Sequence, residues 1–144
     1  VYGEIAAMVR KHSGAPQEDV NACFRHMAFN AAIGNTDDHL KNFWMLHDGR
    51  GFRLSPAIDL VPDVGERREH ALAFLQGHHA PSGADLLALA KAWGVKGAAE
   101  FLGQVARAAG KFARVAKRLG VPKRNVDEFG ADIAARVKRF ATLR

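Results

Sequence analysis

The stretch Gly34-Asn35-Thr36-Asp37-Asp38-His39-Leu40-Lys41-Asn42 decides the reading of this chain, together with the eighteen residues after it. These are Phe43-Trp44-Met45-Leu46, His47-Asp48-Gly49-Arg50-Gly51, Phe52-Arg53-Leu54 and Ser55-Pro56-Ala57-Ile58-Asp59-Leu60. Residues 34–42 are polar, and Thr36-Asp37-Asp38-His39 is too acidic for a core, so a tight loop outside the core is expected. Asp-Gly between two apolar runs predicts a β-hairpin. Asp37 and Asn42 are separated by four residues, and Asp59 lies seventeen beyond Asn42. The hairpin sets Asn42 and Asp59 at its two open ends, where both can reach one ion. A two-stranded ribbon is marginal alone, so this one must pack on helices. Pro56 and Pro62 bracket the Asp59 segment and stiffen it.

The order D-x-x-x-x-N, hairpin, D is that of the catalytic half of a protein-kinase-like phosphotransferase. The chemistry explains the residue types. Phosphoryl transfer needs an acceptor hydroxyl oriented in line with the γ-phosphate and metal ions to absorb phosphate charge. A carboxylate facing the hydroxyl orients it and takes its proton. Mg²⁺ takes one or two protein oxygen ligands and keeps several waters. Asp37 is the acid that fits the four-residue gap, since Asp38 leaves three. Asp37 is therefore read as the base or the hydroxyl-orienting residue, and Asn42 and Asp59 as the metal ligands. The bland alternative is a solvated turn in which Asp37 or Asp38 caps something nearby.

The run I-G-N-T-D-D-H-L-K-N followed by F-R-L-S-P-A-I-D-L resembles the C-terminal part of HipA-type serine/threonine kinases, the toxins of bacterial HipA–HipB toxin–antitoxin pairs. The resemblance extends over the whole chain from Tyr2-Gly3-Glu4-Ile5, with residues 33–60 diagnostic. It implies that Asp37 is the catalytic aspartate and that Asn42 and Asp59 bind magnesium. It implies that His39, Lys41 and Ile58, beside Asn42 and Asp59, line the ATP phosphates and metal. It also implies ATP and Mg²⁺ as cofactors, a persistence-type toxin, and a protein substrate such as an aminoacyl-tRNA synthetase. The implied partner is a HipB-like helix-turn-helix antitoxin, which brings operator DNA indirectly. Aminoglycoside-type phosphotransferases share D-x4-N and a later Asp but do not resemble the T-D-D-H-L-K-N context.

The chain has 144 residues, 48% of them hydrophobic, and reads as one globular domain spanning 1–144. No run of about 18 apolar residues and no signal-peptide pattern occurs, so a cytoplasmic location is expected. One cysteine, Cys23, excludes an internal disulfide and reads as a buried core thiol. Before Asp37 there is no Gly-rich phosphate loop and no strand lysine. The nucleotide-covering N-terminal lobe is thus expected in a longer protein from which this chain is an excerpt, rather than in a separate chain.

Apolar spacing predicts helices over 2–12 and over Pro16–Ile33, the latter stopped by Gly34. Ala71–Leu75 reads as a short strand, residues 63–70 as a charged surface loop, and Gly77-His78-His79 as surface. Ser82-Gly83-Ala84-Asp85 opens a helix reaching about Trp93. A single helix is expected over 97–119, and Pro122 opens the last one, to 141. The expected fold class is mainly α: a kinase-like, HipA-like helical C-terminal lobe with a small β-hairpin.

The net charge is +6, and residues 101–126 carry seven Lys or Arg and no acid. Arg107, Lys111, Arg114 and Arg118 recur along one helix face. A solvated face explains them; a phosphate-backbone or acidic-partner surface is the sharper reading. The alternative to a kinase is therefore a non-catalytic module docking antitoxin or DNA through this face. A metal-dependent nuclease using Asp37, Asp38 and His39 is a distant third.

Overall fold

A computed structural model describes residues 1–63, 69–75 and 77–141. The first helix, α1 (Tyr2–His12), ends at Ser13, and α2 (Pro16–Ile33) follows at once. Proline in the first turn and Glu18 and Asp19 beside the positive end of the dipole favour the start of α2. Its stop is Gly34 at φ 72°, ψ 34°, the left-handed conformation that glycine adopts without a Cβ penalty.

Helix α2 is the centre of the molecule. Val20, Cys23, Phe24, Met27, Ala28, Ala31, Ala32 and Ile33 are all buried, and the helix packs against α1 and the later α4 (Ala98–Ala109) and α6 (Lys123–Ala141). Full burial of side chains such as Phe24 and Met27 stabilises by about 1.5–3 kcal/mol each. Trp93 meets Phe24 edge-on at 6.2 Å, while Tyr2 contacts Phe74 at 5.0 Å and Phe43 at 6.1 Å. Three buried polar residues of α2 face outward from this core to the loops: Asp19, His26 and Asn30.

The expected hairpin forms as β1 (Met45–His47) and β2 (Phe52–Leu54), antiparallel with Leu46 opposite Arg53. Its turn is closed by Asp48, whose Oδ1 accepts from the backbone N–H of Arg50 at 2.8 Å and of Gly51 at 3.0 Å. The hairpin is strapped to α2. Asp19 accepts from Arg53 Nη2 at 3.0 Å, from Ser13 Oγ at 2.6 Å and from the backbone N–H of Leu54 at 2.8 Å.

A second antiparallel pair, β3 (Glu69–Phe74) with β4 (Gly77–His79), extends the strand expected at 71–75. The charged loop expected over 63–70 is only partly testable, since 64–68 lie outside the described residues. Its end is corrected: Glu69 and His70 open β3, and His70 is buried against Phe74. Gly77-His78-His79, expected as plain surface, forms β4 with both histidines exposed. Helix α3 (Gly83–Ala92) starts as expected, with Ser82 Oγ accepting from Asp85 N and the Asp85 carboxylate accepting from Ser82 N.

The single helix expected over 97–119 is corrected. It breaks at Gly110-Lys111 into α4 and α5 (Phe112–Arg118). Glycine weakens a helix interior by about 1 kcal/mol. The break lets Phe112 meet Phe129 of α6 at 6.2 Å, a packing gain that an unbroken rod forgoes. Helix α6 buries Val126, Ile133 and Phe140 as its spacing predicts. The mainly helical architecture is the expected one, and no described helix is long and apolar enough to cross a membrane.

Candidate active site

The loop that leaves α2 is pinned on every side. Gly34 O accepts from Asp63 N at 3.1 Å, Thr36 O from Ala71 N at 2.8 Å, and Asn35 O from His70 Nδ1 at 3.1 Å. Thr36 Oγ1 donates to Asp63. From behind, the Arg136 guanidinium of α6 comes so near Gly34 that an added Cβ would sit 2.6 Å from its Nε. The expectation of a loop outside the core is overturned: Asn35, Thr36 and Asp38 are 3%, 2% and 1% exposed. Acidity did not exclude burial because the polar groups find partners inside.

Asp38 shows this most clearly. Its Oδ2 accepts from the Tyr2 hydroxyl at 2.6 Å and from Asn30 Nδ2 at 2.7 Å, and its Oδ1 accepts from Asn42 Nδ2 at 3.1 Å. Burial, reinforced by the Asp38 carboxylate, raises the Tyr2 phenol, which keeps its proton to donate. The same two causes push the Cys23 thiol up to about 12, so it is an inert core group and no nucleophile. Burial lowers the His26 imidazole, with Asp38 opposing.

Asn42 closes the 3₁₀ turn Leu40–Asn42, its N–H bonded to His39 O at 3.0 Å. Its side-chain nitrogen lies 3.4 Å from Asp59 Oδ2, so the two open ends of the hairpin do bring these side chains together. Asp59 adopts φ 56°, a left-handed conformation uncommon outside glycine and one that concentrates at functional sites. Its carbonyl accepts from Asn35 Nδ2 at 2.8 Å. Asp37 is exposed, and it lines a cleft of about 450 Å³ with Asn35, Asp59, Val61, Pro62 and Asp63. Asn42, His39, Lys41 and Ile58 are not in that lining; Asn42 is buried beside it and reaches Asp59. Lys41 and Ile58 are exposed, and His39 is half-buried with its Nδ1 unpartnered. A second cavity, of about 420 Å³ and mostly apolar, lies behind residues 54–60 against α2 and α4; it holds none of these acids.

The donor chemistry fits Mg²⁺. A carboxylate and a carboxamide on adjacent side chains offer the kind of hard oxygen donors, one or two from protein, that this ion takes, although it is the carboxamide nitrogen that faces Asp59 here. Among the described residues no three His, Cys, Asp or Glu side chains gather as a metal cluster. That removes the nuclease constellation of Asp37, Asp38 and His39, for Asp38 points into the core while Asp37 faces solvent. Arg107 of α4, Lys111 at the break, and Arg114 and Arg118 of α5 are all exposed, on two helices rather than along one straight face.

Sequence reasoning missed Asp38, Tyr2, Asn30 and Asn35 as the groups that hold this site. The doubled acid of Thr36-Asp37-Asp38 was a visible signal, since one hydroxyl needs only one base. Nothing in the linear pattern connects Tyr2 to a carboxylate 36 residues later.

A model of the HipA-like C-terminal domain family matches residues 1–140. The chain is 37% identical over 57 residues to a Sinorhizobium fredii (strain NBRC 101917 / NGR234) protein named "Putative kinase Y4mE", across 40% of this chain and 14% of that one. Its fold matches a chain of the solved Shewanella oneidensis MR-1 toxin–antitoxin complex of HipA, HipB and operator DNA. The TM-score is 0.77 at 19% identity, covering 97% of this chain and 35% of that chain. This chain therefore spans a minor part of the length of either relative. The likeness of fold and the match along nearly all its residues lead to one conclusion: the chain belongs to the HipA-like C-terminal domain family.

Proposed function

We propose that this chain carries the catalytic loop and metal ligands of an ATP- and Mg²⁺-dependent protein serine/threonine kinase, the toxin of a toxin–antitoxin pair. The observation that carries the reading is the approach of Asn42 to Asp59, 3.4 Å apart, where Asp59 lines one cleft with Asp37. Asn42, through its amide oxygen, and Asp59, through its carboxylate, would hold the ion. Bound Mg²⁺ supplies neutralisation of the charge on the phosphates. The Asp37 carboxylate orients the acceptor hydroxyl of a protein serine or threonine and accepts its proton. The exposed Lys41, one residue from Asn42, would neutralise a transferring phosphoryl group, and His39 and Ile58 would flank the nucleotide, outside the cleft that Asp37 and Asp59 line. The rest of the nucleotide pocket comes from outside residues 1–144, consistent with relatives much longer than this chain.

The test is transfer of the γ-phosphate of ATP to protein by the whole encoded protein. Asp37→Asn lowers the rate by about 10²–10⁴-fold, the range for a positioned acid or base, with melting unchanged. Equal rates overturn the role. A HipB-like antitoxin is the proposed partner; the solved complex of the structural neighbour contains HipB and operator DNA.

A second reading, docking of an acidic partner or DNA, is favoured by the exposure of all four cations Arg107, Lys111, Arg114 and Arg118. It requires DNA binding with a steep salt dependence that flattens when the four are neutralised.

A further inference from the structure

Asn42 can serve as a metal ligand only if its oxygen, and not its nitrogen, is turned to the ion. A carboxamide has one of each, of nearly equal size, and rotation about one bond exchanges them. Something must therefore distinguish the two ends. Two carboxylates receive the Asn42 nitrogen, and the nearer is the buried one: Asp38, at 1% exposure, accepts at 3.1 Å. An ionised carboxylate accepts and never donates. Turning the amide over would set oxygen against oxygen between two buried side chains.

The contact of the same nitrogen with Asp59 is longer, 3.4 Å, and Asp59 is exposed. Asp38 is thus the partner that fixes the amide, which leaves Asp59 able to turn its carboxylate elsewhere. Asp38 is itself held from behind, by Tyr2 at 2.6 Å and Asn30 at 2.7 Å, both on Oδ2, so that Oδ1 is the oxygen left for Asn42.

We propose that Asp38 is the positioning residue of the metal site: it dictates which end of the Asn42 amide is presented, with Tyr2 and Asn30 as its supports. This rests on the reading of Asn42 and Asp59 as metal ligands. The adjacent acids Asp37 and Asp38 then have separate tasks, one facing the acceptor hydroxyl and the other facing inward to the ligand.

The experiment is Mn²⁺ binding, followed by electron paramagnetic resonance, to the whole encoded protein with a non-hydrolysable ATP analogue. Asp38→Asn, of equal size, raises the Mn²⁺ dissociation constant about tenfold or more, the usual effect of losing a group that orients a ligand. Adding Asn42→Asp to Asp38→Asn restores binding, because a carboxylate has oxygen on both branches and the amide at 38 can donate to it. Tyr2→Phe keeps every charge and weakens binding about threefold, which covers the case that Asp38→Asn does not fold. Wild-type binding with Asp38→Asn or Tyr2→Phe equal to it overturns the positioning role and leaves the kinase reading standing. No Mn²⁺ bound by the wild type, with nucleotide present, removes the metal site and this inference with it.

Discussion

The side-chain amide of Asn35 donates to the backbone carbonyl of Asp59 across 2.8 Å, joining the loop after α2 to the segment after the hairpin. The bond holds a residue whose φ of 56° is otherwise disfavoured. Asn35→Ala should therefore free Asp59 to relax. On the proposed function, the Mg²⁺ concentration for half-maximal activity rises about tenfold. Stability falls by about 1 kcal/mol for the lost hydrogen bond, read by urea denaturation. An unaltered Mg²⁺ requirement would show that Asp59 keeps its conformation without this tie.

Gly34 is a position where glycine is required twice, by φ 72° and by Arg136 behind it. Gly34→Ala costs about 1–2 kcal/mol from the left-handed backbone alone. The crowding against Arg136 adds to that. Arg136→Ala in the same protein relieves the crowding and leaves the backbone cost, so the two changes are not additive. Denaturation midpoints of the four proteins of this cycle measure the coupling; simple additivity refutes the contact.

His70 is buried, and burial, with Arg136 nearby, lowers its imidazole to about 4. The folded state thus takes up the proton later than the unfolded chain, whose histidine titrates near 6.5. The stabilising contribution is complete above about pH 6.5 and is lost as pH falls from there toward about 4. At pH 5 the loss is about 2 kcal/mol relative to pH 7.5. His70→Asn, which can still donate to Asn35 O, flattens that part of the stability profile. An unchanged slope between pH 7.5 and 5 sinks the assignment.

Asp19 straps the hairpin to α2. Burial tends to raise its carboxyl, but hydrogen bonds from Arg53, Ser13 and the Leu54 backbone outweigh it and hold the group below the usual range. Its contribution is present above the unfolded carboxyl value of about 3.9 and disappears as pH falls through the lower folded value. Asp19→Ala costs about 2 kcal/mol through several lost charge-assisted bonds. It also removes the Asp19 share of acid unfolding below about pH 4, leaving that of other depressed carboxyls such as Asp85. Hydrogen exchange at the Leu54 and Gly14 amides, the second bonded to Phe52 O at 2.8 Å, reports whether the hairpin loosens.

Much of this fold was legible because local signals and packing agree. The apolar spacing of α2, Pro16 at its start and Gly34 at its end fix that helix almost to the residue. Asp48-Gly49 gave the hairpin, and with it the approach of Asn42 to Asp59. The break at Gly110-Lys111 was not legible, since an apolar stripe runs on through it. What breaks the helix is the distant face of α6 that Phe112 must reach. Strand β4 was missed because a three-residue segment, Gly77–His79, carries no period of its own and depends on β3 for pairing. The burial of Asp38 was missed for a related reason. Its three donors, Tyr2, Asn30 and Asn42, come from three separate elements, and the rule that acids stay outside holds only until such partners are supplied.

The seating of Arg136 against Gly34 also has a consequence for the order of synthesis. The ribosome makes the loop bearing Asp37 well before the helix that braces it. A nascent or prematurely terminated product lacking α6 holds Asp37, Asn42 and Asp59 on a loop tied by Asp63, His70 and Ala71 but without the brace behind Gly34. Translation must pass Arg136 before that last brace is added.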